Sequence, residues 1–277
     1  MTRAVPDWEI KDGALQPPLV MGIVNVTPDS FSDGGLWTGS DAVQHGLELV
    51  EAGADIVYVG GESTRPGAAP VDASEELDRV LPVVEGLASA GVILSIDTMK
   101  PTVAAAAIDA GARIVNDVGG LSDPAMRRVV ADSGAGVVIM HKQGEPRTMQ
   151  DDPRYEDVVK DIGSYLSDRI DEAIASGIGA ARIVVDPGIG FGKTHAHNLE
   201  LIRRMSEFAD LGHHVLVGAS RKRFLGTVLG LDDPVERDRA TSILSALLLE
   251  RGVGIVRVHD VAGTREALAL YRAIVSA

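Results

Sequence analysis

Short apolar runs alternate along the chain with longer segments in which apolar residues recur every three or four positions. The short runs are rich in Val and Ile, as buried parallel strands are, and the longer segments have the spacing of amphipathic helices. This pattern predicts eight strands, at residues 20–26, 55–60, 92–97, 113–117, 136–141, 182–186, 214–218 and 254–259. It also predicts eight helices, at residues 41–52, 74–90, 101–110, 124–133, 155–176, 199–209, 235–251 and 263–276.

Eight strand–helix pairs in one chain predict an α/β fold, the (β/α)8 TIM barrel. An open doubly wound sheet is the competing architecture, but no Gly-x-Gly-x-x-Gly follows the first strand. The first residues lie outside the alternation, and Asp12-Gly13 followed by Pro17-Pro18 indicates a short hairpin-like appendage. We therefore expect an N-terminal appendage at residues 1–18 and a single barrel domain at residues 19–277.

Composition limits the cellular compartment and the classes of partner that we expect for the chain. Its formal net charge of −14 over 277 residues argues against nucleic acid or an anionic membrane surface as a partner. No segment has the apolar length of a membrane span, the N-terminus lacks the apolar core of a signal peptide, and there is no cysteine. We expect a cytoplasmic protein with small-molecule substrates, in which positive charge for any anionic substrate is gathered locally.

Polar residues follow several predicted strands at the point where each strand ends. In a (β/α)8 barrel these carboxyl ends form the active site. One set combines acceptors with donors, as suits the edge of a flat heterocycle, and comprises Asp97, Asn116, Asp186 and Lys222. Taken singly, an Asp or Asn at a strand–helix junction more often caps the helix that follows it.

A second set comes from the first, second and eighth strands, which adjoin in a closed barrel. It comprises Asn25, Arg65, Arg257 and His259. Three cationic or donor side chains beside an amide form a natural anion cradle, in which Asn25 could also bind magnesium. The two sets together predict a substrate with a heteroaromatic end and a phosphate-like end.

Lys222 and the histidines allow other interpretations. Lys222 could form a Schiff base if it is desolvated, and its neighbours Arg221 and Arg223 could lower its pKa, although an ion-pairing role is equally open. His195 and His197 stand two apart in a segment that we expect to be a polar loop, which is a weak zinc signal because no further ligand is nearby.

Seven segments, in this order along the chain, resemble the dihydropteroate synthases, the folate-pathway enzymes inhibited by sulfonamides. They are MGIVNVTPDSFSDGG at 21–35, VGGESTRPG at 59–67, SIDT at 95–98, NDV at 116–118, DPGIGFGK at 186–193, GASRKRF at 218–224 and RVHD at 257–260. The resemblance covers the chain beyond the appendage. It implies condensation of 6-hydroxymethyl-7,8-dihydropterin pyrophosphate with p-aminobenzoate to 7,8-dihydropteroate and pyrophosphate, assisted by Mg²⁺, through a dissociative mechanism.

The resemblance also implies roles for individual residues and a homodimer. The expected catalytic residues are Lys222, Arg257 and His259. The expected pterin-binding residues are Asp97, Asn116, Met140, Asp186, Phe191, Gly218 and Lys222. The p-aminobenzoate pocket and the lid loops would use Phe31, Ser63, Thr64, Arg65, Pro66, Phe191 and Arg223. The pyrophosphate would be bound by Asn25, Thr64, Arg65, Arg257 and His259, with Asn25 as the metal ligand.

One residue departs from the family pattern. The family usually has Asp two residues before the Gly-Gly pair of the second strand, where this chain has Tyr58. A tyrosine there could crowd the pocket if it points into the barrel, or pack against the helices if it points outward.

Three other functions stay open at this level: a Schiff-base aldolase using Lys222, a methyltransferase of the related pterin-binding barrels, and a pterin-binding paralogue without turnover. The oligomeric state is also open. Residues 241–250 are apolar nearly all round, which suits a helix at a twofold interface or one that is deeply buried.

Overall fold

Eight parallel strands close into one barrel in the computed structural model, which describes residues 18–27, 39–63, 69–144 and 148–277. Each strand pairs with the next in chain order, and the eighth pairs with the first. The strands are β1 Leu19–Asn25, β2 Ile56–Gly60, β3 Leu94–Asp97, β4 Ile114–Asp117, β5 Gly136–Met140, β6 Ile183–Asp186, β7 His214–Val217 and β8 Val253–Val258. The predicted fold is confirmed, and every predicted strand is found with ends displaced by about two residues or less.

Helices follow the strands around the outside of the barrel. They are α1 Gly39–Glu51, α2 Ala73–Ser89, α3 Pro101–Asp109, α4 Pro124–Ser133, α5 Val158–Ala175, α6 His195–Arg203, α7 Ser206–Ala209, α8 Arg223–Leu229, α9 Asp238–Leu249 and α10 Val261–Val275. Four of them start where an Asp accepts a hydrogen bond from a free backbone N–H: Asp72 at α2, Asp123 at α4, Asp157 at α5 and Asp260 at α10.

The prediction for the segment between β6 and β7 was partly wrong. The helix predicted at 199–209 begins at His195 and is divided into α6 and α7. Thr194 accepts from the backbone N–H of His197, and the His197 ring accepts from the N–H of Thr194, which closes a capping box. His195 and His197 therefore belong to the first helical turn. Among the described residues no group of three or more His, Asp or Glu could hold a metal ion, so the zinc interpretation has no support there.

The helix after β7 was not predicted. Residues 223–229 form α8, and a short 3₁₀ turn, Val235–Arg237, leads into α9 where one continuous helix was expected. The described part of the chain contains no helix with the length and apolarity needed to cross a membrane.

Apolar layers lie on both faces of the barrel sheet. The outer layer packs the strands against the helices, and the inner layer fills the barrel with Met21, Ile56, Tyr58, Ile114, Val138, Val184, Leu216 and Ile255. Tyr58 thus points into the barrel, which decides the question that its sequence position raised. Because the interior is packed with side chains, a ligand can enter only at the rim.

Candidate active site

The carboxyl-end rim of the barrel brings together the acceptors that the sequence analysis grouped. Asp97 ends β3 and lies in register with Asn116 of β4, while Asp186 ends β6 in register with Met140 of β5. All four side chains are buried. Strand register places neighbouring side chains on one face, so these groups line the same end of the barrel interior.

Asp97 is the centre of the acceptor group. Its Oδ1 accepts from Asn116 Nδ2 at 2.8 Å, and its Oδ2 accepts from the Tyr58 hydroxyl. Burial raises its pKa to about 6, against the lowering effects of the Tyr58 hydrogen bond and of Arg257. The capping alternative is wrong for Asp97, because the N-cap of α3 is Lys100 and no side chain caps that helix.

Arg257 supplies a buried cation to this rim. Its Nη1 donates to Asn116 Oδ1 at 3.1 Å and lies 3.7 Å from Asp186 Oδ2. The guanidinium carbon stands 5.0 Å from the centre of the Tyr58 ring. Gly218 leaves room for the guanidinium, because a Cβ at that position would lie 2.5 Å from Arg257 Nη2. The acceptor set and the cationic set predicted separately are therefore joined through Arg257.

Asp186 has one acceptor position to spare. Its Oδ1 accepts from the N–H of Gly188 at 2.7 Å. Its Oδ2 is buried without a hydrogen-bond partner among the described residues. Arg257 lies close enough to compensate its charge but makes no hydrogen bond to it, so a ligand that donates an N–H would satisfy this buried oxygen.

Lys222 lies opposite this group with a lowered pKa. Its Nζ donates to the carbonyl of Ile189 and lies 4.4 Å from the centre of the Phe191 ring. Burial and, to a smaller extent, Arg257 lower the pKa of Lys222 to about 7, against the opposing effect of Asp186. The predicted direction is confirmed, but its predicted cause, the flanking arginines, is wrong.

Those flanking arginines point elsewhere. Arg221 forms a two-point ion pair with Asp238, both bonds at 2.7 Å, and Arg223 is exposed. Arg221 has a positive φ of 60°, which only surrounding contacts maintain in a residue with a side chain. Its N–H donates to Thr241 and its carbonyl accepts from Arg237, so the start of α9 fixes the turn that presents Lys222.

Sequence reasoning assigned no role to His141, Lys193 or Ser220, although all three follow strands. Lys193 Nζ lies 3.0 Å from His141 Nδ1 and donates to the Phe191 carbonyl, which fixes the loop after β6. Ser220 Oγ lies 2.9 Å from His259 Nδ1 and accepts from the His259 N–H. A serine that donates to Nδ1 leaves the proton of a neutral ring on Nε2.

The remaining predicted residues are placed only in part. Asn25 ends β1, half-buried, in register with Gly60. Ser63 is half-buried just before a gap in the described chain. Four predicted residues lie outside the described residues: Phe31, Thr64, Arg65 and Pro66.

An ionic cluster connects Glu62 and Val71, on either side of residues 64–68, to two neighbouring helices. Lys100 pairs with Glu62 and with the fully buried Glu76, and Glu62 also accepts from the N–H of Val71. Glu62 and Val71 are therefore tied to the start of α3 and to α2.

The class of protein follows from this geometry together with a family match. Residues 21–259 match the family described as pterin binding enzyme, and that match spans most of the chain. The closed barrel carries buried acceptors beside the buried cation Arg257 at one rim, as the sequence predicted for a heterocycle with an anionic group. The chain belongs to the pterin-binding enzyme family.

Within that family, its relatives are dihydropteroate synthases. The enzyme from Escherichia coli K12 is 44% identical over 265 residues, covering 95% of this chain and 94% of that protein. Two solved structures are of dihydropteroate synthase from Xanthomonas albilineans, each covering 95% of both chains. The one with 4-aminobenzoic acid has a TM-score of 0.90 at 46% identity, and the one in complex with 7,8-dihydropteroate has 0.87 at 43%.

A third structure is the Yersinia pestis dihydropteroate synthase in a sulfonamide drug complex, with a TM-score of 0.91 at 43% identity. It covers 95% of this chain and 96% of that chain. The resemblance drawn from the seven sequence segments is confirmed.

The neutral, buried His141 predicts a specific acid sensitivity. Burial and Lys193 lower its pKa from 6.5 to about 3 in the folded protein. Between these values the unfolded chain binds a proton that the folded chain does not, so this contribution to stability is lost as pH falls below 6.5. We expect His141→Gln to remove a slope of up to about 1.4 kcal/mol per pH unit in the unfolding free energy.

Denaturant unfolding at several pH values between about 4 and 6.5 measures that slope. His195→Gln, at an exposed position on α6, is the matched control. Equal slopes for wild type and His141→Gln would contradict the assignment.

Proposed function

We propose that this chain condenses 6-hydroxymethyl-7,8-dihydropterin pyrophosphate with p-aminobenzoate to give 7,8-dihydropteroate and pyrophosphate. The observation that carries the proposal is the buried cluster of Asp97, Asn116, Asp186 and Arg257 at the barrel rim. The names of its relatives support it, as do the 4-aminobenzoic acid and 7,8-dihydropteroate in the Xanthomonas structures.

The pterin ring would lie against the acceptors. Asp97 and the spare oxygen of Asp186 can accept the ring N–H groups, and the Asn116 amide can serve both donors and acceptors. Lys222 would donate to an acceptor atom of the ring. The remaining contacts would come from Met140, Phe191 and Gly218, which lie on the same rim or in the loops that follow it.

The pyrophosphate would lie towards Arg257 and His259, with Thr64 and Arg65 of the loop after β2 as further donors. The Asn25 side chain offers one oxygen at the end of β1, and Mg²⁺ in proteins usually takes one or two protein oxygens together with substrate phosphates. Asn25 therefore fits the role of a magnesium ligand. When bound, Mg²⁺ would neutralise charge on the pyrophosphate.

The proposed reaction is dissociative. The bond between the pterin methylene carbon and the pyrophosphate oxygen breaks first, the electron pair leaves with pyrophosphate, and the p-aminobenzoate nitrogen then attacks the methylene and loses a proton. Arg257 and His259 stabilise the negative charge of the leaving group, while Asp97 and Asp186 favour the cationic pterin. Preorganised charges of this kind lower the free energy of the transition state more than that of the bound substrate.

The arylamine would enter from the loops. Its pocket would use Phe31, Ser63, Thr64, Arg65, Pro66, Phe191 and Arg223, of which Arg223 is exposed at the start of α8. We propose that sulfonamides bind in the same pocket, because the Yersinia relative was solved with such a drug.

The other enzyme classes receive no support from the comparisons. Matches to dihydropteroate synthases over about the whole chain favour neither an aldolase nor a methyltransferase. In addition, the Lys222 ammonium group is already hydrogen-bonded to Ile189 and faces an aromatic ring. An assay of product formation distinguishes an active synthase from a pterin-binding paralogue without turnover.

The chain is proposed to work as a cytoplasmic homodimer. On α9, Ile243 and Leu247 lie one turn apart and are 54% and 49% exposed, whereas Leu244 and Leu248 face the core. A deeply buried helix is thus excluded for residues 241–250. Further apolar residues are exposed on α10, which packs against α9, and on α8: Leu270, Ile274, Val228 and Leu229.

Pyrophosphate release tests the reaction directly. We expect release from the pterin pyrophosphate to be fastest with both p-aminobenzoate and Mg²⁺, and to fall when EDTA removes the metal. Formation of 7,8-dihydropteroate is followed in parallel by chromatography. Absence of product under all conditions, with intact pterin binding by calorimetry, would instead identify a binding paralogue.

Arg257→Ala should lower kcat with little change in KM, because the guanidinium acts on charge that grows in the transition state. Loss of one preorganised donor typically costs about 2.7–4 kcal/mol, or roughly 10²–10³ in kcat. Steady-state kinetics measure both parameters, with Arg239→Ala at an exposed position of α9 as the control. An unchanged kcat with only a raised KM would refute the role.

Ile243→Lys and Leu247→Lys should dissociate the homodimer, because each places a charge in the proposed apolar interface. Sedimentation velocity measures the oligomeric state. Leu199→Lys is the matched control, since Leu199 is 41% exposed on α6. A wild-type chain that sediments as a monomer would exclude the dimer.

A further inference from the structure

Tyr58 occupies the inner face of β2 directly below the proposed substrate site. It is 7% exposed and lies in register with Ser95 of β3. The next inward position on β3 is Asp97, which pairs with Gly60. Because Gly60 has no side chain, nothing on β2 separates the Tyr58 ring from the Asp97 carboxylate. A Cβ at Gly60 would contact both, at 3.5 Å from the ring and 3.7 Å from Asp97 Oδ2.

The side chain of Tyr58 contacts both ends of the site. Its hydroxyl donates to Asp97 Oδ2, and the Arg257 guanidinium stands over its ring. Asn116 closes the loop of contacts, because its amide donates to Asp97 and accepts from Arg257. One aromatic ring therefore underlies a carboxylate proposed for the pterin and a cation proposed for the pyrophosphate.

The tyrosine is constrained to act as a donor. Burial and the neighbouring Asp97 raise its pKa well above 10, so its hydroxyl keeps its proton. Because that proton goes to Oδ2 and the Asn116 amide to Oδ1, each oxygen of Asp97 is held by one bond and keeps further acceptor capacity. The carboxylate cannot turn without breaking one of these bonds.

We propose that Tyr58 is a positioning residue whose hydroxyl orients Asp97 for the pterin N–H groups and whose ring supports Arg257 beneath the leaving pyrophosphate. The assignment rests on the proposed function for the identity of the ligand. It gives the family departure at this position a constructive role: an ionised Asp could not donate to Asp97, whereas the tyrosine does.

The two parts of the side chain should have separate effects. The hydroxyl touches only the acceptor end, so its loss weakens pterin binding, whereas the ring contacts the cation that acts on the leaving group. Cation–π contacts are strongest when desolvated, as this one is.

Tyr58→Phe tests the hydroxyl. We expect about tenfold weaker binding of 6-hydroxymethylpterin by calorimetry, because a hydrogen bond to a charged group is lost, with kcat within about twofold of wild type. Tyr271→Phe removes a hydroxyl from the outer helix α10 and should change neither quantity.

The pH profile distinguishes positioning from mere packing. The Tyr58 hydrogen bond lowers the pKa of Asp97, so its loss should move the acidic limb of kcat/KM to higher pH. Other charged groups face this pair from several packed elements and remain in the variant. Glu76 of α2, Asp117 of β4 and Arg257 of β8 interact with Asp97, and Asp186 of β6 interacts with Tyr58.

Tyr58→Leu tests the ring. It removes both contacts, and we expect the pterin affinity of Tyr58→Phe together with an additional loss of about fivefold or more in kcat.

A double substitution with Asp97→Asn adds a coupling test: Tyr58→Phe should have much less effect on pterin affinity once Asp97 carries no charge. If Tyr58→Leu fails to fold, Tyr58→Phe and the double variant decide.

Opposite outcomes overturn the proposal. Pterin affinity within twofold of wild type and an unmoved acidic limb in Tyr58→Phe would show that the hydroxyl positions nothing. Faster turnover in Tyr58→Asp would show that the tyrosine obstructs the site. Failure of the proposed function is a separate result, namely a wild-type chain that forms no dihydropteroate, and the affinity measurements do not depend on it.

Discussion

The rim of this barrel depends on one buried positive charge. Asp97 and Asp186 are both withdrawn from water at the same end of the barrel, and two such carboxylates are costly unless a cation compensates them. Arg257 does so from β8, bonded to Asn116 between them and stacked on Tyr58. The charge that compensates these two carboxylates is also the one proposed to receive the leaving pyrophosphate.

Much of the fold was predictable because its signals are local. Buried parallel strands appear as short Val- and Ile-rich runs, and their ends were found to about two residues. The errors arose where side-chain geometry outweighs periodicity. The capping box at Thr194 starts α6 earlier than its polar sequence suggests, and α8 has only seven residues, too few for a periodic pattern.

The candidate site was predictable as a set of strand ends, but its internal pairing was not. A closed barrel collects the carboxyl ends of its strands, so listing the polar residues there located the site. Nothing local indicates that Arg257 bonds to Asn116, 141 residues away, or that Arg221 turns to Asp238 instead of flanking Lys222. The direction of Tyr58 was equally hidden, because every residue of β2 is buried and no alternation marks its inner face.

Gly218 shows how such a site limits its own evolution. The guanidinium of Arg257 fills the space where any other residue would place its first side-chain carbon. Any larger residue at position 218 therefore displaces Arg257 before it can make a new contact with substrate or drug. Changes that alter ligand preference while preserving catalysis should arise in the loops around the rim. Substitutions at position 218 should be absent from active variants, whether they arise naturally or in designed libraries.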